Sequence, residues 1–226
     1  MDKDTMIIAL KEKMGENIIV LYHGSDTIVN PPIYGKGELA NDYGRGFYMT
    51  EYPELAAEWA CRSRKSSGIV NKYILNLDGL NILDMDKEPL EHWISVLVQN
   101  RDNDLGTAAR ERSDRFVLRY PFSVAVYDVV KGWRADDSYY AFVRAFFNLG
   151  LSFENLRTAM RFGEYGTQYC LLSEKSFNKI EYVTHSKIDT ATYYEKRRSR
   201  DVKAKNLYMD MKDKDKGTLL IDLIGR

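Results

Sequence analysis

The residues best equipped for chemistry fall in a few short blocks. Leu21-Tyr22-His23-Gly24-Ser25 sets an imidazole and a hydroxyl on either side of a glycine, at the end of an apolar run. Gly44-Arg45-Gly46-Phe47-Tyr48-Met49-Thr50 joins a glycine-rich turn and a guanidinium to two aromatic rings, and Trp59 follows on the next segment. Gln168-Tyr169-Cys170-Leu171-Leu172 opens with a side-chain amide. Several familiar chemistries are missing. Gly35-Lys36-Gly37 is followed by Ala40, and Gly44-Arg45-Gly46 by Met49, so neither completes the G-x-G-x-x-G dinucleotide fingerprint. There is no G-x-x-x-x-G-K-[ST] phosphate loop, no G-x-S-x-G elbow and no H-E-x-x-H pair. His23, His92 and His185 lie far apart without ligand-like spacing, which argues against a metal site.

These groups need elements to hold them. Met6, Ile7, Leu10 and Met14 share a helical stripe. Residues 17–22, rich in β-branched side chains and bounded by Gly15 and Gly24, predict a buried strand ending at His23. Pro31, Pro32, Gly35 and Gly37 make 30–42 a loop, and 46–50 reads as a second strand. Pro53 suits the first turn of a helix whose inner face is Leu55, Ala56, Trp59 and Ala60. A third strand is expected over 68–77, turned back by Asp78-Gly79 into Leu80–Leu83. Helical stripes over 90–99, 139–149 and 153–162 make residues 87–162 a helical insertion, with 100–115 a loop or exposed helix. Asp136-Asp137 reads as an N-cap for the second of those helices. Strand chemistry returns at 167–172 and 180–184. Strands and helices interleave without strict alternation, so the expected fold class is α+β rather than a doubly wound sheet.

Composition narrows the setting. The chain has 226 residues, long enough to bury a core without staples, and 33 Lys+Arg balance 33 Asp+Glu. Zero net charge argues against coating DNA or membranes by bulk electrostatics. Cys61 and Cys170 cannot build a disulfide framework or a zinc cluster, and read as buried small apolar residues. The charged start does not read as a signal peptide, and no window reaches the roughly 18 apolar residues of a membrane span. A cytoplasmic location is expected. The basic run at 196–205 reads as a solvated helix face, with contact to nucleic acid or an acidic partner as the alternative.

Taken in order, the blocks resemble the ADP-ribosyltransferases of the poly(ADP-ribose) polymerase and diphtheria-toxin branch. There a His-Gly-Ser ends one strand, a Gly-Lys-Gly-Ile-Tyr block forms the next, and an aromatic follows about one helix turn beyond. Asn41-Asp-Tyr-Gly-Arg-Gly-Phe-Tyr-Met-Thr-Glu51, Glu54-Leu-Ala-Ala-Glu-Trp-Ala60, Tyr127 to Asp137 and Gln168 to Leu172 are similar to a bacterial group of uncharacterised domains related to those enzymes. Some members of that group lie in toxin–antitoxin loci. The resemblance spans about residues 18–184 and leaves 185–226 as a charged C-terminal extension.

The resemblance implies a split β-sheet core with a helical insertion, and transfer of ADP-ribose from NAD, as substrate, to a macromolecular acceptor. Breaking the bond from nicotinamide to ribose passes through an oxocarbenium-like transition state, which the enzyme must position and shield. His23 would then hydrogen-bond the adenosine ribose, and the backbone of Gly24 would clamp the carboxamide, its missing Cβ allowing close approach. Tyr48 and Trp59 would face the pyridinium from opposite sides, each such contact worth of order 0.5–2 kcal/mol. Ser25 would add a ribose contact, and Asp42 and Arg45 would touch phosphate or order the loop over 30–43.

Gln168 stands where these relatives carry a glutamate. An amide can bond a hydroxyl but brings no negative charge and cannot act as a base. This disfavours chain elongation and leaves single transfer, with Glu164 as a second candidate acid and an ordinary strand-start role for Gln168 as the bland alternative. An antitoxin partner is implied by the toxin–antitoxin relatives. The alternatives are a weakened NAD- or ADP-ribose-binding module, an NAD glycohydrolase, and a purely structural interaction protein.

Overall fold

β-Branched and aromatic residues fill Ile18–Ser25 (β1) and Ile69–Asn76 (β3), which pair antiparallel along their full length, from Ile18↔Asn76 to Ser25↔Ile69. The computed structural model describes residues 17–61, 63, 67–101, 105–135, 137–161, 167–212 and 216–225. The helix expected over 6–14, Asp136 and Glu164 lie outside the described residues. Between β1 and β3 come β2 (Phe47–Thr50) and α1 (Pro53–Trp59), the latter with proline at its start as expected. After β3 follow β4 (Ile82–Asp84), α2 (Leu90–Asn100), α3 (Thr107–Arg119), β5 (Val129–Gly132), α4 (Asp137–Phe147) and α5 (Phe153–Arg161). The chain continues through β6 (Gln168–Leu171), α6 (Glu174–Phe177), β7 (Ile180–Lys187), α7 (Thr190–Lys212) and α8 (Leu220–Ile224).

The fold is mixed α and β, built on one seven-stranded sheet among the described residues, in the order β4-β5-β6-β2-β1-β3-β7. Only the β4–β5 pair is parallel. The sheet has a weak seam. β2 pairs with β6 over all four of its residues, yet meets β1 at a single register position, Tyr22↔Thr50.

Two expectations change here. The Asp78-Gly79 turn does not fold β4 back onto β3, because β1 and β7 already occupy both edges of β3; β4 runs instead to the far edge beside β5. The segment 87–162 is also not wholly helical. β5 lies inside it, with Val129 and Val130 both fully buried, one on each face of the sheet.

The core follows that alternation. Val130 and Cys170 face α2–α5, where Trp93, Phe116, Phe142 and Phe146 form the larger cluster. Val129, Tyr169 and Leu171 face the other side with Leu21, Met49 and Tyr73. Cys61 and Cys170 are free and buried, as expected. The boundary expected between 184 and 185 falls inside β7, and the C-terminal segment packs onto the domain: Ala204 and Leu220 join the larger cluster. α7 is tied to α1 by ion pairs of Lys196 with Glu54 (2.8 Å) and Arg200 with Glu58 (2.7 Å). Among the described residues, no helix is long and apolar enough to cross a membrane.

Candidate functional site

The seam between β1 and β2 sets the site. One residue past the last β1–β2 register pair, the His23 imidazole bridges the strands, with Nδ1 2.7 Å from the Tyr48 carbonyl. A carbonyl only accepts, so Nδ1 carries the proton and Nε2 keeps its lone pair. Burial holds the His23 pKa below the ordinary histidine value, partly offset by this hydrogen bond, so the ring is neutral at pH 7. The Phe47 ring lies beside it, centroids 4.5 Å apart.

The Tyr48 phenol closes the turn that precedes its own strand. It donates to the Gly44 carbonyl at 2.6 Å and accepts from the Tyr43 N–H at 3.0 Å. Gly44 has φ +79°, which a residue with a side chain adopts only under strain, so the glycine there serves the turn. Burial, reinforced by the nearby Cys170 thiol and Asp42, pushes the Tyr48 hydroxyl far above the usual tyrosine range. Tyr48 is therefore a neutral ring and a donor at any working pH, not a base.

Gln168, at the start of β6, spends its amide on a buried carboxylate. Its Nε2 donates to Asp42 Oδ2 at 2.9 Å and to the Trp133 carbonyl at 2.8 Å. Asp42 also accepts from the Ala135 N–H (2.7 Å) and lies 3.4 Å from Arg101. Burial raises the Asp42 pKa, while the Ala135 and Gln168 hydrogen bonds and the charges of Arg101 and Arg134 oppose that rise. Asp42 thus orders the loop against β6 and α2, one of its two expected roles.

Two clefts adjoin at Tyr48. One, of about 360 Å³, is lined by Tyr48, Trp59, Gln168 and the arginines Arg101, Arg134 and Arg197. The other, of about 660 Å³, is lined by His23, Phe47, Tyr48, Phe177 and the loop from Thr27 to Ile33. Both are within the range of small-molecule sites. Glu38 and Asn41 also border both, so the loop after β1 lies across the pair. At the end of α1, Trp59 carries the Arg134 guanidinium 5.0 Å from its ring centroid.

The expected site residues thus divide. His23, Tyr48, Trp59 and Gln168 line this joined cleft, whereas Gly24, Ser25 and Arg45 do not. A Cβ on Gly24 would collide with the Ala56 backbone carbonyl, so its missing side chain lets α1 lie on β1. The Ser25 hydroxyl donates to the Thr27 carbonyl (2.5 Å) and accepts from Asn71 (3.0 Å). Arg45, exposed, donates to the Gly35 carbonyl at 3.3 Å and so tethers the loop.

Two kinds of residue escape sequence reasoning. Asn71, fully buried in β3, accepts from the Val29 N–H (3.0 Å) and donates to the Thr27 carbonyl (3.2 Å), shaping the wall of the larger cleft. Its signal was present, as a lone amide inside the run Ile69-Val-Asn-Lys-Tyr-Ile-Leu75. Arg101, Arg134 and Arg197 come from segments far apart in the chain, and although Arg134 lies in the 127–137 block and Arg197 in the basic run at 196–205, nothing local shows that they converge on one cleft.

A mixed α/β domain with an opened strand seam beside a polar, arginine-bearing cleft is the class defined by these features. A family model described as "Protein of unknown function (DUF3990)" matches residues 19–182, and the chain belongs to that family. No curated protein and no solved structure matches it.

Proposed function

We propose that this chain is an NAD-dependent mono-ADP-ribosyltransferase with a core of the ADP-ribosyltransferase type, acting on a macromolecular acceptor as the toxin of a toxin–antitoxin or phage-defence pair. The observation that carries the reading is the His23–Tyr48 bridge at 2.7 Å across the sheet seam, with Tyr48 standing between two adjoining clefts. A two-part ligand such as a dinucleotide suits two clefts joined at an aromatic residue. Neutral His23 has Nε2 available to accept from a sugar hydroxyl. Tyr48 and Trp59 offer aromatic surface to a planar cationic base, which gains dispersion and cation–π attraction there. The chain's residues would bind, orient and exclude water; the acceptor nucleophile then displaces nicotinamide from the anomeric carbon, and its proton leaves to solvent.

A second reading has its own support. Both hydrogens of the Gln168 amide are engaged, by Asp42 and by the Trp133 carbonyl. The amide cannot donate to a ribose hydroxyl without breaking that network, which favours a module that binds NAD or ADP-ribose with weakened catalysis. Incubation of the protein with NAD labelled in its ADP-ribose part, with and without cell lysate, separates the two. Transfer of label, abolished in His23→Ala and Tyr48→Ala, supports the transferase. Binding without nicotinamide release supports the module, and absence of binding refutes both.

A further inference from the structure

We propose that the cleft of about 360 Å³ binds a phosphoryl group, and that Arg197 on α7 is the cation that grips it. Arg197 lies outside the matched family segment, so this site is completed by the part of the chain beyond residue 182.

The argument is a balance of donors and charges. Arg101, Arg134 and Arg197 line the cleft, against the carboxylates Glu38 and Asp42. Asp42 is already met by Arg101, by Gln168 and by the Ala135 N–H. Arg101 is committed to the scaffold as well: it donates to the Ala135 carbonyl at 2.7 Å and lies over the Tyr140 ring. Arg134 lies on the Trp59 ring.

Arg197 is different. Its neighbours on α7, Lys196 and Arg200, take the two carboxylates of α1, Glu54 and Glu58. Among the described residues Arg197 makes one side-chain hydrogen bond, from Nη1 to the Cys61 carbonyl at 3.1 Å, and no ion pair. That bond holds the side chain at the cleft wall and leaves the rest of the fork to a ligand. A cleft richer in donors than acceptors asks for a ligand made of acceptors. The planar guanidinium fork fits phosphoryl oxygens two at a time.

This does not depend on the transferase reading. The phosphoryl group belongs either to a dinucleotide or to a second, phosphorylated substrate, and competition separates these sources. The full chain is titrated with inorganic pyrophosphate at low salt, read by calorimetry and tryptophan fluorescence. Saturable binding that weakens with salt is expected. Arg197→Ala weakens it about ten- to a hundredfold, the range for one hydrogen bond to a charged group. Arg198→Ala, at an exposed position on the same helix, binds as the wild type does. Arg197→Lys keeps the charge without the fork and binds less tightly than wild type, which carries the test should the alanine variant unfold. If NAD and pyrophosphate compete, the group is the dinucleotide's own; if both bind together, it is the second substrate's. Pyrophosphate binding without NAD binding keeps this site and refutes the transferase. No saturable binding by folded wild type at millimolar pyrophosphate, or equal binding by folded Arg197→Ala, overturns the proposal.

Discussion

Replacing Gln168 by glutamate introduces the residue type carried by the transferases that the sequence resembles, and here it should damage the fold. The Gln168 amide sits between two acceptors, Asp42 Oδ2 at 2.9 Å and the Trp133 carbonyl at 2.8 Å. Glutamate in the same pose turns an oxygen to both. One charge-assisted hydrogen bond, worth about 1.5–3 kcal/mol, and one neutral bond, worth about 1 kcal/mol, are lost. A second carboxylate also faces Asp42, which is only 7% exposed. While both are ionised their repulsion adds to this loss, and uptake of one proton by the pair as pH falls relieves it. The predicted loss is about 3–4 kcal/mol at pH 8. The sign of the pH dependence follows from linkage. Burial and mutual repulsion raise the folded-state pKa of the pair above the ordinary carboxylate value of about 4. The folded variant therefore binds protons more tightly than its unfolded chain, so its deficit is smallest in acid and grows as pH rises through the raised value. In acid the protonated side chain can donate to Asp42 and recover one bond. Urea unfolding of wild type and Gln168→Glu at pH 5 and pH 8 measures this. Equal stability at pH 8, or the same deficit at both pH values, would refute the assignment of Gln168 as the donor to Asp42.

Three other substitutions probe the seam. Gly24→Ala forces a methyl group into the Ala56 carbonyl and must lift α1 from β1, costing about 1–3 kcal/mol or more; an unchanged melting temperature would contradict the close approach. Tyr48→Phe strands the Gly44 carbonyl and the Tyr43 N–H, lowering stability by about 1–3 kcal/mol in urea unfolding. Because the ring stays, the proposed NAD binding should weaken less in this variant than in Tyr48→Ala, as read by titration. Burial depresses the His23 pKa, so its contribution to stability is present above the unfolded value of about 6.5 and is lost as pH falls toward the folded value. His23→Gln, whose amide can still donate to the Tyr48 carbonyl, should flatten that part of the stability–pH curve, and an unchanged slope would show that His23 is not the group responsible.

What could be read from residues alone was local. β1, β2 and β6 announce themselves as short apolar runs, and α1 by Pro53 with its buried Leu55, Ala56 and Ala57. β5 does not, since Val129-Val130 is too short to show a period and is covered on both faces by residues distant in sequence. The misplaced hairpin has the same origin. Asp78-Gly79 is a sound turn signal, but whether a turn makes a hairpin depends on a free strand edge, and both edges of β3 are filled by β1 and β7. At the site, the types His23, Tyr48, Trp59 and Gln168 were legible because each belongs to a compact block. Their pairings were not. Asp42 is 126 residues from Gln168, and Arg197 is on a helix whose basic run reads as a solvated face.

The seam explains why the structural roles and the proposed chemical ones fall on the same side chains. A fully laddered β1–β2 pair would leave no opening, and a fully separated pair would expose two strand edges to water or to another chain. The observed compromise is one register pair, Tyr22↔Thr50, followed by the His23 imidazole on the Tyr48 carbonyl. A side chain can span a wider gap than a backbone ladder, and it brings a second ring nitrogen that the bridge does not use. The Tyr48 phenol likewise holds its turn through one end while its ring lines both clefts. Loss of activity in an alanine variant of either residue therefore mixes lost architecture with lost chemistry. Substitutions that keep the bridging donor or the ring, as in His23→Gln and Tyr48→Phe, are the ones that divide the two.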